Sequence, residues 1–453
     1  MHSDAWCPMP FLSLTIHPTN KLTTCMMSNT DMGNPYNDGG WDNSKFQKIR
    51  QNMLDGVWSL ETKIPTTDDT GVWTLDNLIT LYSENSPRKP LPSTSYKIET
   101  PGNCSTCLLR ELNGLQSQRN NWIDDRAHIY PTGTYENANK LTGNKILHLN
   151  LNLSNICNFK CRMCGPTYSN AWIPDHNFLA ENKLPHLYIN DYDKLKQIIN
   201  FDNFFEKYGS SLDNLKSIWV TGGEPFMDDR LIDFVNTLSN YCDISKLDIN
   251  ITTNGSKIDL NKLSAFEKVG RVGYNLSIDA VGPLFEYMRS AGVFSWNELE
   301  TLIKDLIYYR KNNNNMILNY NSSYQIYNSL NIKNFYEYFV PLLEDGDWLE
   351  YRLVTSPSWL VARNANDQIK KAALSNIDEL LSSNILNKRN AAHVNNCKNM
   401  INKPRDNEEW GKFLKFTGAL DHKRKQYLKE YSPEIYSLLT TTDIEILENA
   451  AVS

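Results

Sequence analysis

Three cysteines, Cys157, Cys161 and Cys164, fall in the run Ile-Cys-Asn-Phe-Lys-Cys-Arg-Met-Cys-Gly, with the spacing C-x3-C-x2-C. A compact loop offering three thiolates, with no fourth nearby, can hold three irons of a [4Fe–4S] cube and leave the fourth iron open to a further ligand. Zinc sites more often pair C-x2-C with a distant second pair, and isolated core thiols have no reason to repeat at these intervals. The spacing therefore predicts a metal loop with one open coordination position.

Other groups able to do chemistry follow at the ends of later strand-like segments. Val220 to Pro225 reads Val-Thr-Gly-Gly-Glu-Pro. Adjacent glycines let the backbone approach a ligand with no Cβ in the way, and their bare carbonyls can accept hydrogen bonds from an ammonium group. Ile251 to Gly255 reads Ile-Thr-Thr-Asn-Gly and brings the side chains of Thr253 and Asn254, which both donate and accept, to the same rim. Leu276 to Ala280 carries Ser277 and Asp279 on one face, and Arg289 lies in Glu-Tyr-Met-Arg-Ser-Ala-Gly.

The three-cysteine loop, followed one strand later by Gly-Gly-Glu-Pro, resembles the signature of the radical S-adenosylmethionine (SAM) enzymes. The resemblance implies that the open iron is chelated by the amino and carboxylate groups of SAM. It further implies that an electron from the cluster cleaves SAM to a 5′-deoxyadenosyl radical. By the same resemblance Gly222, Gly223 and Glu224 hold the amino group of SAM's methionine part, and Thr253 and Asn254 meet the ribose. Ser277 and Asp279 face SAM or substrate, and Arg289 lies near SAM's carboxylate. The residue before the third cysteine is usually aromatic in that family but is Met163 here, whose polarizable sulfur can still lie against adenine. An electron donor such as a flavodoxin or ferredoxin is implied as a partner.

Four more cysteines precede this region: Cys7, Cys25, Cys104 and Cys107. Cys7 and Cys25 flank a hairpin whose turn is Pro-Thr-Asn-Lys, and a Cys-Ser-Thr-Cys pair completes four thiolates. The set resembles the auxiliary-cluster modules called twitch and SPASM, though it stands before the barrel rather than after it. That resemblance implies a second [4Fe–4S] cluster; structural zinc is the alternative, since four cysteines ligate zinc as readily.

The elements that must position these groups begin at residue 145. Lys145 to Ser154 alternates at period two, and Leu215 to Thr221, Lys246 to Thr253, Arg271 to Asp279, Met316 to Gln325 and Trp348 to Ser356 supply five further strands. Helical spacing between them, such as Leu299, Leu302, Ile303 and Leu306, argues for successive βα units with right-handed crossovers. The expected fold is α/β: a partial (βα)6 barrel over residues 145–364, with active groups at the C-terminal strand ends. Residues 1–144 read as an irregular metal-binding domain, and residues 365–453 as a helical extension with helices over Lys370 to Leu381 and Trp410 to Tyr427.

The formal charge of −6 gives no global basic field, so binding through nucleic-acid phosphates is not indicated. His422 to Lys425 is a local basic run expected to face solvent on a C-terminal helix. With no long apolar span and no apolar signal-peptide core, a cytoplasmic chain without a membrane partner is expected. Free thiols for metal then fit better than disulfides, and Cys242 and Cys397 are left without a role. The first expected reaction class is oxidation or cross-linking of a peptide or protein. The alternatives are the same chemistry on a small molecule or nucleotide, and a non-catalytic iron–sulfur or zinc-binding partner protein.

Overall fold

The computed structural model of the protein describes residues 9–16, 22–23, 25, 36, 43–54, 59–60, 98–99, 107, 145–187 and 199–450. Ten strands lie among them: β1 Ser13–Ile16, β2 Leu22–Thr23, β3 Ser59–Leu60, β4 Ile98–Glu99 and β5 His148–Asn152, followed by β6 Ser217–Thr221, β7 Asp248–Thr253, β8 Arg271–Ser277, β9 Met316–Tyr324 and β10 Trp348–Leu353. The chain divides into two units, residues 1–153, 197–220 and 233–249 in one and residues 154–196, 221–232 and 250–453 in the other.

In the first unit the strand order is β2-β1-β5-β6, ending on the first residues of β7. β1 runs parallel to β5, with Leu14 opposite Leu149, and antiparallel to β2, with Thr15 opposite Thr23. The six strands expected from residue 145 thus gain two from the N-terminal segment. β1 is buried along its whole length, as an inner strand must be, and it satisfies the backbone edge that β5 would otherwise expose. The helix Phe201–Tyr208 is capped by Asn200, whose side chain accepts from the Asn203 amide, and it buries Phe204, Phe205 and Tyr208. Phe205 stacks on Tyr241 at 5.0 Å between ring centres.

The second unit holds the remainder of β7 and continues β8-β9-β10. β8 and β9 are parallel, with Asn275 opposite Asn319, and β9 and β10 are parallel, with Tyr324 opposite Leu353. The strands are shorter than expected because their last polar residues leave the ladder: Asp279, for example, turns out at a φ of 72°. Helices follow in the C-terminal part at Asp367–Ser382, Lys388–Ile401, Asn407–Arg424 and Thr441–Asn449. The helices Asp367–Ser382, Asn407–Arg424 and Thr441–Asn449 share one hydrophobic core with the strand-end segments. Trp172, Tyr287, Tyr327, Trp359, Phe416 and Leu447 all belong to it, and Met163 and Cys164 pack against it. No helix among the described residues is long and apolar enough to cross a membrane.

The helix Asn407–Arg424 starts at Asp406, whose carboxylate accepts from the amides of Glu408 and Glu409, and stops at Lys425, which adopts a φ of 52°. It buries Trp410, Phe413, Leu414, Thr417, Leu420 and Asp421 at helical spacing. Gly418 permits a close crossing with the helix Thr441–Asn449, because a Cβ there would stand 1.8 Å from the Leu447 carbonyl oxygen. That neighbour is backbone and cannot rotate away. Gly418→Ala is expected to cost about 1–3 kcal/mol through overpacking. Thermal denaturation checks it: an unchanged melting temperature would mean that the crossing has room to spare.

Candidate active site

The cysteine loop is shaped by its own side chains. Asn155 donates to the Pro166 carbonyl at 3.0 Å, Ser169 Oγ donates to the Phe159 carbonyl at 2.6 Å, and Asn170 Oδ1 accepts from the Cys157 amide at 3.1 Å. Trp172 Nε1 donates to the Cys161 carbonyl at 2.8 Å. Phe159 turns inward and meets the edge of Phe285, while Cys157 and Cys164 are half-buried and Cys161 is 8% exposed. Burial, with the neighbouring thiol of Cys161, pushes the Cys157 thiol up to about 12. Burial raises Cys161 and Cys164 as well, against the pull of Arg289. A metal centre that takes all three as thiolates must therefore displace their protons.

The glycine turn threads against the start of this loop. Gly222 and Gly223 have φ values of 88° and 55°, and a Cβ on Gly223 would lie 2.2 Å from the Ile156 carbonyl oxygen. That oxygen instead accepts from the Glu224 amide at 2.8 Å. The Glu224 carboxylate is 2% exposed and takes three donors: Thr253 Oγ1 at 2.6 Å, the Asn254 amide at 2.6 Å and the Phe226 amide at 3.1 Å. Burial raises its proton affinity and the three donors oppose that rise.

Thr253 and Asn254 also serve the frame. The Thr253 hydroxyl accepts from the Gly255 amide while it donates to Glu224. Asn254 Nδ2 reaches Asn158 Oδ1 at 3.1 Å and Cys157 Sγ at 3.8 Å, and Asn254 Oδ1 accepts from the Ser256 amide and hydroxyl. One carboxylate and one carboxamide thus tie the ends of β6 and β7 to the loop that carries the first thiol.

Ser277 closes β8 and is half-buried. Asp279 is 1% exposed; its Oδ2 accepts from Arg289 Nη1 at 2.6 Å and its Oδ1 from the Ser323 amide at 2.7 Å. Arg289 stands in a π-helical turn, Glu286–Ser290, and is buried rather than on the surface. Burial works against its charge, but Asp279 outweighs that and holds the guanidinium protonated. Arg289 Nε is buried with no hydrogen-bond partner.

Several residues that matter here carry no signal in the sequence. Arg162, inside the cysteine motif, pairs with Asp421 at 2.6 Å, 259 residues further on. Its guanidinium lies 3.6 Å from the centre of the Tyr287 ring. Arg424, expected on a solvated basic face, has a side chain only 4% exposed and pairs with Asp175 at 2.8 Å, because the Trp172 ring lies beneath it at 4.8 Å. Of the four N-terminal cysteines, Cys25 and Cys107 are half-buried, and Cys7 and Cys104 lie outside the described residues.

Among the described residues no three His, Cys, Asp or Glu side chains gather as they would round a single metal ion. A cube does not ask that of its ligands, since each thiolate takes a different iron. The donor set fits a cluster with one open iron: three thiols on one loop, a close-approach glycine turn, and a buried Arg289 donor without a partner.

Residues 151–318 match the model of the Radical SAM superfamily. A GTP 3′,8-cyclase of Aliarcobacter butzleri (strain RM4018) is 26% identical over 141 residues, which is 31% of this chain and 36% of that protein. The GTP 3′,8-cyclase of Campylobacter jejuni subsp. jejuni serotype O:6 is 28% identical over 141 residues, 31% of this chain and 37% of its own. The chain thus spans little more than a third of the length of the curated relatives it matches. Among solved structures, anSMEcpe with bound AdoMet is 15% identical, with a TM-score of 0.35 and 62% of each chain covered. Streptococcus suis SuiB bound to precursor peptide SuiA is 14% identical, with a TM-score of 0.33 and 70% and 60% covered.

Glu224→Gln replaces an accepting oxygen by an NH2 group that faces a donor. Leaving buried donors unpaired costs about 1–3 kcal/mol, so a lower melting temperature is expected together with faster hydrogen exchange at the Asn254 amide. Exchange at wild-type rates would show that the carboxylate does not hold that strand end.

Proposed function

We propose, from the match of residues 151–318 to the Radical SAM superfamily, that the chain is an enzyme that cleaves SAM at a [4Fe–4S] cluster held by Cys157, Cys161 and Cys164 to take a hydrogen atom from a substrate. The observation that carries this reading is the convergence on one loop of three thiols, the Gly222–Gly223 turn held to Ile156 through the Glu224 amide, and the buried Asp279–Arg289 pair. Such a cluster, when bound, supplies the electron that turns SAM into a 5′-deoxyadenosyl radical.

The chain's own residues bind, orient and exclude water. The carbonyls of the glycine turn suit an ammonium group, and Arg289 Nε suits a carboxylate, with Asp279 holding the guanidinium in place. Glu224 fixes the turn and the β7 end rather than offering an open oxygen. Thr253 and Asn254 are therefore assigned to the rim that frames the ribose. Ser277, half-buried at the end of β8, has the exposure to meet SAM or substrate. Burial of Glu224, Asp279 and Arg289 keeps water from the charged groups around the thiols.

A nucleotide is the first substrate to test, because the curated relatives are named for a reaction of GTP. A peptide, the first expectation from the sequence, is the second, since the matched segment carries the SAM-binding motifs and those serve either substrate. An electron donor such as a flavodoxin or ferredoxin completes the system. We assign Cys7, Cys25, Cys104 and Cys107 to a second thiolate site, an auxiliary cluster or zinc, on the sequence alone.

The test is metal analysis and electron paramagnetic resonance on protein reconstituted without oxygen, with dithionite and with or without SAM. About four irons at the Cys157 loop, a signal that changes on adding SAM, and release of 5′-deoxyadenosine are expected. Replacing Cys157, Cys161 and Cys164 by alanine should abolish all three. About four further irons, or one zinc, should persist in that variant at the N-terminal cysteines. A triple variant that keeps its SAM response would overturn the reading; stimulation of 5′-deoxyadenosine release by GTP or by peptide ranks the substrates.

A further inference from the structure

Three buried arginine–aspartate pairs surround the cysteine loop, and two of them draw on the C-terminal helix Asn407–Arg424. Arg162 Nη2 meets Asp421 at 2.6 Å with both side chains at most 1% exposed, and Arg162 Nε donates to the Tyr287 carbonyl at 3.0 Å. Arg424 Nε meets Asp175 at 2.8 Å and lies over the Trp172 ring, whose Nε1 donates to the Cys161 carbonyl. Arg289 meets Asp279 at 2.6 Å.

These pairs are not equivalent. Arg162 and Arg289 each face one carboxylate across an ion pair, whereas Asp175 answers two cations, Arg424 and, at 3.4 Å, Lys160. The group of Lys160, Asp175 and Arg424 therefore carries one net positive charge against the loop. Arg424 is also the least satisfied of the three arginines: both Nη1 and Nη2 are buried without a partner. Burying such donors unpaired is unfavourable unless an anion lies within their field. A cluster held by three thiolates is that anion, and reduction adds one more negative charge to it.

We propose that Arg424, brought to the cysteine loop by the C-terminal helix and held by Asp175 and Trp172, is a positioning residue that stabilises the reduced cluster and so sets the potential at which it accepts an electron. The inference rests on the cluster assignment above. A fixed cation in a site of low dielectric constant lowers the energy of the more negative state, so its removal makes the cluster harder to reduce. Removing Asp175 acts in the opposite sense. A packing role would give no such inversion, because both changes would loosen the same contact.

The experiment is a redox titration of the full chain with dithionite, reconstituted without oxygen and followed by electron paramagnetic resonance, with iron measured in every sample. Its variants are Arg424→Gln, Arg424→Lys, Asp175→Asn and, as a charge control on the exposed face of the same helix, Lys423→Gln. At the wild-type midpoint, Arg424→Gln should lower the ratio of reduced to oxidised cluster about tenfold, a shift of about 59 mV for a one-electron couple. Asp175→Asn should raise that ratio, while Arg424→Lys and Lys423→Gln stay with the wild type. Should Arg424→Gln fail to retain iron, the direction of the Asp175→Asn shift decides alone. Shifts of the same sign for Arg424→Gln and Asp175→Asn, or none beyond that of Lys423→Gln, would overturn the inference and leave the cluster assignment standing. Wild-type protein with no iron at the loop would instead overturn the assignment.

Discussion

Arg162 follows the second cysteine of the loop in sequence, its side chain has no exposed surface, and the loop's geometry depends on how its charge is answered. Arg162 is met by Asp421, by the Tyr287 carbonyl and by the face of the Tyr287 ring. Breaking a buried pair of this kind costs about 3–5 kcal/mol, because the remaining charge has no water to turn to. The loop therefore cannot settle without the helix Asn407–Arg424, and that helix cannot leave without stranding Arg162. The same core that buries Trp172, Tyr327 and Phe416 shields the pair from solvent. Stability and site geometry are one constraint here.

A second buried charge organises the start of the loop. Glu224 accepts three hydrogen bonds while its own amide donates to Ile156, so the glycine turn, the end of β7 and the start of the cysteine loop meet at one carboxylate. The family resemblance implied a ligand contact for Glu224, and the hydrogen bonds show its side-chain oxygens occupied by the frame. Thr253 and Asn254 follow the same logic, with donor and acceptor atoms of each engaged by neighbours. A site that must bind a charged cofactor needs strand ends that do not drift, and side chains committed to one another supply that rigidity.

Electrostatics around the thiols comes from buried charges held mostly in pairs: Arg162 with Asp421, Arg289 with Asp279 and Arg424 with Asp175, beside the hydrogen-bonded Glu224. Asp279 holds Arg289 through its side chain, and its backbone carbonyl accepts from Ser322 and Asn328, which ties the charge pair to the end of β9. Water is kept out by aromatic contacts such as Trp172 on Phe416 and Tyr287 on Tyr431. Charged groups held in this way meet a reacting ligand without reorganising.

The sequence by itself laid out the candidate chemical groups and the order of the elements. Cysteines at C-x3-C-x2-C, the adjacent glycines at 222 and 223, and period-two alternation from residue 145 are local patterns, set by the ligand needs of a metal, the φ freedom of glycine and the two faces of a strand. They identified the loop, the turn and the strands whose ends carry Thr253, Ser277 and Asp279. Tertiary structure alone decided what answers each buried charge. Asp421 stands 259 residues from Arg162, and Asp175 stands 249 residues from Arg424. No spacing rule links such partners, and a basic run ending a helix reads as solvent-facing until Trp172 is seen beneath Arg424. The docking of β1 on β5 was hidden for the same reason. Pairing between distant segments follows from which backbone edges and charges would otherwise be buried unsatisfied, and that is a property of the folded chain.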